Sequence, residues 1–286
     1  MENFEYFEGI KIPLKLVKIC GLWHDKSAKK SYKAFGWVLH VIGCQVFLLC
    51  QLIYAFQGKS LLELSDVLSV LFTYLMLTVK SLRLMFKVDK IVELFDNLKA
   101  LILLSCEIEG KPLMVLKARD NQVRMMFKLF WATMICSCLL GGIAPFILYM
   151  IDPKPPYKVS YRTWSPFNHE NNVYGFFAVA IYEFANPMFF CGVLGALDMF
   201  MIVSLNSVTG LLQELSIQLG NISFNSDKSM HDENSEKLKK CIEVDLKIKV
   251  MITKTQKIFS PMIFMQATIS LFILCTTAFK LSQVNV

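Results

Sequence analysis

Residues 34–58 read AFGWVLHVIGCQVFLLCQLIYAFQG and contain no charged side chain over 25 positions. A helix needs about 20 predominantly apolar residues to cross the roughly 30 Å of hydrocarbon in a bilayer. Two further runs, residues 129–151 and 258–279, are also free of charge and long enough. Three stretches of this kind predict a protein that crosses the membrane several times.

The composition of the whole chain agrees with this class. Hydrophobic residues make up 55% of the 286 positions and charged residues only 19%, whereas soluble domains carry about 25% charged residues. A soluble domain of this size must cover its surface with polar groups, so a typical cytosolic enzyme is excluded. The net charge of +7 is better explained by loops that set membrane topology than by nucleic-acid binding. The lipid bilayer is therefore an expected partner and nucleic acid is not.

Two more spans are predicted, although both contain charges. Residues 61–86 carry charged groups at both ends, which are expected to reach the interface: Glu63, Asp66, Lys80 and Arg83. Residues 173–212 contain Glu183, Pro187 and Asp198 and predict one long helix that continues into the cytosol. The predicted fold is all-α, a polytopic membrane protein forming a single domain over residues 1–286. Its five transmembrane helices lie at about residues 34–57, 61–86, 128–151, 173–212 and 257–281.

The distribution of Lys and Arg orients these spans. Twenty-three lie in the N-terminal segment, the second loop and the fourth loop, against 4 in the first and third loops. Because cytoplasmic segments carry the excess, the N-terminus is predicted to be cytoplasmic. Residues 88–104 and 232–257 have apolar positions at helical spacing and predict amphipathic extensions that together form a cytoplasmic helical layer. Residues 152–172 are rich in Pro and aromatic side chains and predict an ordered extracellular loop.

The chain contains no recognisable catalytic or metal-binding motif. None of the four histidines has a partner at i+3 or i+4, so no metal pair is predicted on one helix face; they are His24, His40, His169 and His231. Phosphate-binding loops and nucleophile motifs are also missing from the sequence. We expect neither enzymatic activity nor a cofactor. For Glu183, a charge inside a predicted span, both a structural polar contact and a ligand contact stay open.

Aromatic, Ile and Met side chains concentrate in the outer halves of the predicted spans. They are explained either by a pocket for a small volatile or lipophilic molecule, or by packing and contact with lipid. Gly141, Gly142 and Pro145 in the third span are expected to leave room for such a pocket. The predicted ligand-binding residues are Phe72, Ile143, Phe146, Ile147, Met150, Tyr174, Phe177, Ile181 and Tyr182.

Three segments carry a resemblance to a known family. The first runs from Pro156-Tyr157 to Trp164-Ser165-Pro166-Phe167 and on to Tyr174, and the second is LNSVTGLLQELSIQL at residues 205–219. The strongest is residues 238–282, LKKCIEVDLKIKVMITKTQKIFSPMIFMQATISLFILCTTAFKLS, with Cys-Ile, Phe-Ser, Gln and Leu-Cys at spaced positions. Together they resemble the second outer loop, the end of the fourth helix and the fifth helix of insect odorant receptors.

This resemblance implies a receptor for a small hydrophobic odorant that acts as a subunit of a ligand-gated cation channel. Members of the family have seven spans and form a hetero-tetramer with the common odorant receptor coreceptor. The resemblance also implies that the protein is located in the plasma membrane of olfactory neuron dendrites.

Two features of the sequence depart from the family pattern. Asp245 stands where the family often has a His, and the chain ends at Val286 after its fifth span. The last two family helices are therefore expected to be missing and the receptor to be incomplete as given. Two alternatives stay open: a gustatory receptor of the same superfamily, and a non-sensory multi-spanning transporter or assembly protein.

Overall fold

The computed structural model describes residues 8–57, 60–109, 114–222 and 228–284, which are mostly helical. In chain order the helices are α1 (Glu8–Ile19), α2 (Lys30–His40), a π-helical segment (Val41–Gln45), α3 (Val46–Ala55), α4 (Leu61–Glu109), α5 (Met114–Ile151), α6 (Val173–Gly220) and α7 (Lys228–Val284). By length and hydropathy, five stretches of the described residues are able to cross a membrane: Lys30–Ala55, Glu63–Cys106, Val115–Ile151, Val173–Gly220 and Asn234–Gln283. The predicted all-α fold with five spans is confirmed, and the chain is a multi-pass membrane protein.

The long helices run well past the predicted ends of the spans. α4 is continuous over 49 residues, which at 1.5 Å per residue is roughly 70 Å, more than twice the thickness of the hydrocarbon layer. α7 is continuous over 57 residues. Residues 88–104 and 232–257 are therefore helical continuations of their spans, as the spacing of their apolar residues predicted.

Two compact units make up the chain. The first contains the described residues of Met1–Lys15, Lys87–Leu129 and Ala196–Pro261. Its interior includes Phe95 and Phe200, which are fully buried and meet edge to face with ring centroids 6.2 Å apart. Both amphipathic extensions belong to this unit, and the Lys254 ammonium lies 3.0 Å from the Glu93 carboxylate.

Residues 205–219, one of the segments noted in the sequence, fasten α6 to the start of α5 within this first unit. The Asn206 side chain accepts a hydrogen bond from the Arg119 guanidinium at 2.9 Å and donates one to the Arg119 carbonyl at 3.1 Å. The Glu214 carboxyl accepts the backbone N–H of Val115 at 2.9 Å. That N–H lies in the first turn of α5, where no intrahelical partner exists, so Glu214 supplies the missing acceptor.

The second unit contains the described residues of Leu16–Phe86, Phe130–Gly195 and Met262–Val286. Three polar side-chain pairs join α4 and α7 in it: Asp66–Lys280 at 2.6 Å, Ser69–Thr276 at 2.8 Å and Lys80–Gln266 at 2.7 Å. Lys80 is only 2% exposed, so the prediction that it reaches the interface is wrong. The reason is that Gln266 offers a side-chain carbonyl inside the helix contact, and an intramembrane lysine is stabilised by such an acceptor.

The segment before the first span is tightly folded against α2. Gly21 has a φ of +68°, and its carbonyl lies so close to Gly36 that a Cβ at Gly36 would overlap it. The Tyr32 hydroxyl donates a 2.8 Å hydrogen bond to the Lys18 carbonyl. His24 packs with its ring centroid 6.4 Å from that of Tyr32, and burial lowers the pKa of this imidazole below its ordinary 6.5. The start of the first span is thus a fixed structural element.

Candidate functional site

The loop between α5 and α6, residues 152–172, is fixed by a carboxyl group of α6. Glu183 is 1% exposed and accepts hydrogen bonds from the Thr163 hydroxyl at 2.9 Å and the Tyr161 backbone N–H at 3.1 Å. A buried polar group in a membrane helix is costly unless it is hydrogen-bonded. These two donors therefore explain how α6 accommodates the carboxyl group, and they give Glu183 a structural role.

The same loop is tied to three further helices. The contacts are the Ser160 hydroxyl to the Gly141 carbonyl of α5 at 2.8 Å, the Trp164 N–H to the Cys50 carbonyl of α3 at 3.4 Å, and the Arg162 guanidinium to the Glu63 carboxylate of α4 at 2.9 Å. Anchors on four helices agree with the ordered loop that the sequence predicted.

A cavity of about 320 Å³ lies beside Tyr161 of this loop. We call it the apolar cavity because most of its walls are hydrocarbon, with a few hydroxyl and thiol groups. Sites for small molecules have volumes of about 300–1,000 Å³ and this mixture of an apolar wall with few polar groups. The lining residues are Ser69, Val70, Thr73, Tyr74 and Leu77 of α4, Met134, Ser137 and Cys138 of α5, Pro187, Phe190 and Leu194 of α6, Ile273 of α7, and Tyr161.

Two local features of the helices help to keep this space open. Pro187 has no N–H, so the hydrogen bond that would reach the Glu183 carbonyl one turn earlier cannot form. Gly43 lies in the π-helical segment, and a Cβ there would overlap the Phe190 ring. The absence of a side chain at Gly43 therefore lets the ring pack against the backbone of the first span instead of filling the cavity. Short π-helical segments are frequent at functional sites.

A second cavity, of about 420 Å³, adjoins the first. The two share Ser69, Val70 and Tyr161 in their walls. We call it the polar cavity because its other lining residues are mostly polar or charged: Gln51, Ser65, Asp66, Val67, Ser160, Arg162, Thr276, Thr277 and Lys280.

Five of the nine predicted ligand-binding residues lie on surfaces that the protein leaves open. Their side chains are between 41% and 83% exposed: Ile143, Ile147, Met150, Tyr174 and Ile181. These five side chains lie outside the apolar cavity and the polar cavity.

The other four predicted residues lie in aromatic or polar contacts between helices. Phe146 and Phe177 have ring centroids 6.3 Å apart and pack with Tyr149 and Phe176. Phe72 stacks on Phe272 at 5.3 Å, and the Tyr182 hydroxyl donates to the Ile42 carbonyl at 2.7 Å. None of the nine residues lines the apolar cavity or the polar cavity.

The two glycines expected to leave room for a pocket have different surroundings. A Cβ at Gly142 would overlap the Phe184 ring, while a Cβ at Gly141 would meet nothing within 4 Å. The apolar cavity is lined in part by small side chains that were not predicted from the sequence, such as Ser69 and Ser137. On α4, Ser69, Thr73 and Leu77 repeat every four residues and so share one face, which is the available sequence signal for this wall.

The described residues hold no cluster of three or more His, Cys, Asp or Glu side chains that could coordinate a metal ion. The polar groups of the two cavities are instead suited to hydrogen bonding with a neutral molecule.

Several solved structures have a similar fold, among them two of one olfactory receptor. The insect olfactory receptor OR5 from Machilis hrabei superposes with a TM-score of 0.70, and its complex with eugenol with a TM-score of 0.74. In both cases the sequences are 16% identical and the match covers 98% of this chain and 72% of the other. At this identity the likeness concerns the fold. No curated protein sequence matches the chain.

A family model supplies the assignment that the structural likeness alone does not. The model described as 7tm Odorant receptor matches residues 60–285, a range that contains α4 to α7 and the loop over Glu183. Because this match extends over most of the sequence, the chain belongs to the 7tm odorant receptor family.

Proposed function

We propose that this chain senses a small, mainly apolar odorant, which binds in the apolar cavity. The observation that carries this proposal is the cavity itself, about 320 Å³ of mainly hydrocarbon wall beside the anchored loop. Its size and composition suit a molecule of that class. The solved complex of the Machilis hrabei receptor contains eugenol, which supports a small-molecule ligand for a member of this fold.

The experiment is a binding measurement on the purified chain in lipid nanodiscs. Eugenol and a panel of small apolar odorants are added, and binding is read from the increase in thermal stability that a ligand of the folded state produces. We expect Leu194→Trp to abolish binding because the indole fills the cavity. Leu140→Trp is the matched control, since Leu140 lies on the open surface of α5. Equal binding by both variants would refute the apolar cavity as the site.

We further propose that the chain acts as one subunit of a ligand-gated cation channel with the common coreceptor. The family membership supports this assignment. The test is whole-cell recording from cells that express the chain with the coreceptor, with cells expressing the coreceptor alone as the control. An odorant-evoked current that requires the chain supports the proposal. Responses identical to those of the control contradict the channel role and leave the binding result unaffected.

The proposed orientation has a cytoplasmic N-terminus, and the proposed location is the plasma membrane of olfactory dendrites. The orientation is supported by the excess of Lys and Arg in alternate segments. The nine residues predicted from the sequence stay a prediction for ligand contact, beside the cavity-lining residues that we favour.

A further inference from the structure

The wall of the polar cavity contains a buried amide that the described residues leave without a hydrogen bond. Gln51, on α3, is 0% exposed, and both its side-chain oxygen and its side-chain nitrogen lack a hydrogen-bond partner among the described residues. An amide in this state loses its hydrogen bonds to water without replacement, which is unfavourable. Gln51 lines the polar cavity, and a ligand there would offer its amide the partner that the described residues do not.

The other polar groups in this wall are already engaged. The Ser69 and Thr276 hydroxyls lie 2.8 Å apart and hydrogen-bond each other, and each also contacts a carbonyl of its own helix. The Thr277 hydroxyl donates to the Ile273 carbonyl at 2.8 Å. Gln51 is therefore the group in this wall best able to form new hydrogen bonds.

The charges around the polar cavity come in opposite pairs. Lys280 pairs with Asp66 at 2.6 Å, and Arg162 pairs with Glu63 at 2.9 Å. An ionic ligand would have to compete with one of these pairs, whereas a neutral polar group would not. The cavity is therefore suited to a neutral group that both donates and accepts hydrogen bonds, or only accepts them.

The position of this cavity relates Gln51 to the proposed odorant site. The polar and apolar cavities share Ser69, Val70 and Tyr161 as a common wall. A ligand with an apolar body in the apolar cavity and a polar end at this wall would point that end toward Gln51.

We propose that Gln51 hydrogen-bonds the oxygen-bearing end of the odorant, so that the chain selects small neutral amphiphiles, such as alcohols, over hydrocarbons of the same shape. This inference rests on the proposed function, since it requires the apolar body of the ligand to bind in the apolar cavity. Gln51 then determines specificity, and the apolar cavity supplies binding that both ligand types share.

The test compares 1-octanol with nonane, in which a methyl group replaces the hydroxyl. Their affinities are measured with the purified full chain in nanodiscs, for the parent and for Gln51→Met, which removes the amide with little change in shape. The parent is expected to prefer 1-octanol about tenfold, the effect of a good hydrogen bond. Gln51→Met is expected to lose that preference through weaker octanol binding, with nonane binding unchanged.

The control is Gln45→Met, which makes the same substitution in the π-helical segment of the same span. Gln45 contacts His40 and lines neither cavity, so its loss should leave the preference intact. If Gln51→Met does not accumulate, Gln51→Asn gives the same comparison, because it keeps the amide and withdraws it by one methylene. An octanol preference unchanged in the Gln51 variant would overturn the inference.

The outcomes also separate this inference from the proposed function. Binding of both ligands by the parent with equal affinity overturns the role of Gln51 and leaves the apolar cavity as the odorant site. Binding of neither ligand overturns the role of Gln51 in selecting alcohols, while the apolar cavity is tested separately by Leu194→Trp and the odorant panel. If water alone satisfies the Gln51 amide, the parent is expected to bind 1-octanol and nonane with equal affinity.

Discussion

The Thr163 hydroxyl donates a 2.9 Å hydrogen bond to the buried carboxyl group of Glu183. The donor lies in the loop and the acceptor lies on α6, one turn before Pro187 in the wall of the apolar cavity. The position of the loop and the shape of the cavity are therefore linked through α6, and the same carboxyl group also accepts the N–H of Tyr161. The link suggests the first prediction.

Thr163→Val should loosen the loop while preserving the shape of the side chain. The variant leaves one lone pair of a buried carboxyl group unsatisfied, at a cost of about 1–3 kcal/mol. We expect faster amide hydrogen exchange at residues 157–165, measured by mass spectrometry. Ser165→Ala is the control, because the Ser165 hydroxyl contacts only the nearby Phe167 N–H. Exchange no faster than in the control would argue against Glu183 as the anchor.

Gly43→Ala should shrink the apolar cavity although residue 43 does not line it. The added Cβ overlaps the Phe190 ring, which must move toward the cavity. We expect weaker binding of the largest ligands and a lower thermal stability. Gly141→Ala is the matched control in another membrane helix, where the Cβ meets open space and a Gly-to-Ala change by itself stabilises a helix by about 0.5–1 kcal/mol. Identical ligand profiles for the two variants would refute this prediction.

Leu77→Ala should change the ranking of ligands, whereas Phe146→Ala should not. Leu77 is buried and lines the apolar cavity, so its truncation enlarges the binding space. Phe146 packs against Phe177 away from it, and truncating a packed Phe costs about 3–5 kcal/mol of stability. The measurement compares the ligand ranking and the melting temperature of each variant with those of the parent protein. A changed ranking in Phe146→Ala alone would favour the nine residues predicted from the sequence.

Epitope tags should report a cytoplasmic N-terminus. Tags at the N-terminus and after Ile222 are expected to bind antibody only in permeabilised cells. A tag at Lys154 should be accessible on intact cells, and the exposed Lys154 is a better position than Ser160, whose hydroxyl anchors the loop. Labelling of the N-terminal tag on intact cells would contradict the orientation.

Acidification should destabilise the segment before the first span through His24. Burial is the main cause that lowers the pKa of this imidazole below 6.5, and Lys33 acts in the same direction. The folded state therefore favours the neutral ring: its stabilising contribution is complete above about pH 6.5 and is lost as the pH falls through the lowered pKa. We expect a lower melting temperature at pH 5 than at pH 7.5, and a smaller difference in His24→Gln. A His169→Gln control should behave like the parent.

The spans were predictable because a helix in hydrocarbon must consist of about 20 apolar residues, and that requirement is local in sequence. The extensions in α4 and α7 were predictable for a similar reason, since apolar positions at helical spacing mark one face. The environment of Lys80 was not predictable in this way. Its acceptor, Gln266, is 186 residues away, and no local pattern connects the two.

The candidate site was harder to predict because a cavity is defined by missing volume. Aromatic residues such as Phe146 stand out in the sequence, yet the structure uses them for packing. The open space depends on Gly43 accommodating the Phe190 ring and on small side chains such as Ser69 and Ser137. Such residues are common throughout membrane helices, so they identify a pocket only when the helices are placed beside one another.

The Lys80–Gln266 hydrogen bond also constrains how the protein is made. At roughly 5–20 residues per second, a ribosome completes Lys80 roughly 10–40 s before it reaches Gln266. During that interval the Gln266 amide that accepts from the Lys80 ammonium has not yet been synthesised, and a charged group in a spanning helix opposes release of the helix into lipid. The hydrogen bond between Lys80 and Gln266 therefore forms only after α7 has been synthesised, so this contact between α4 and α7 is made late in the biogenesis of the membrane unit.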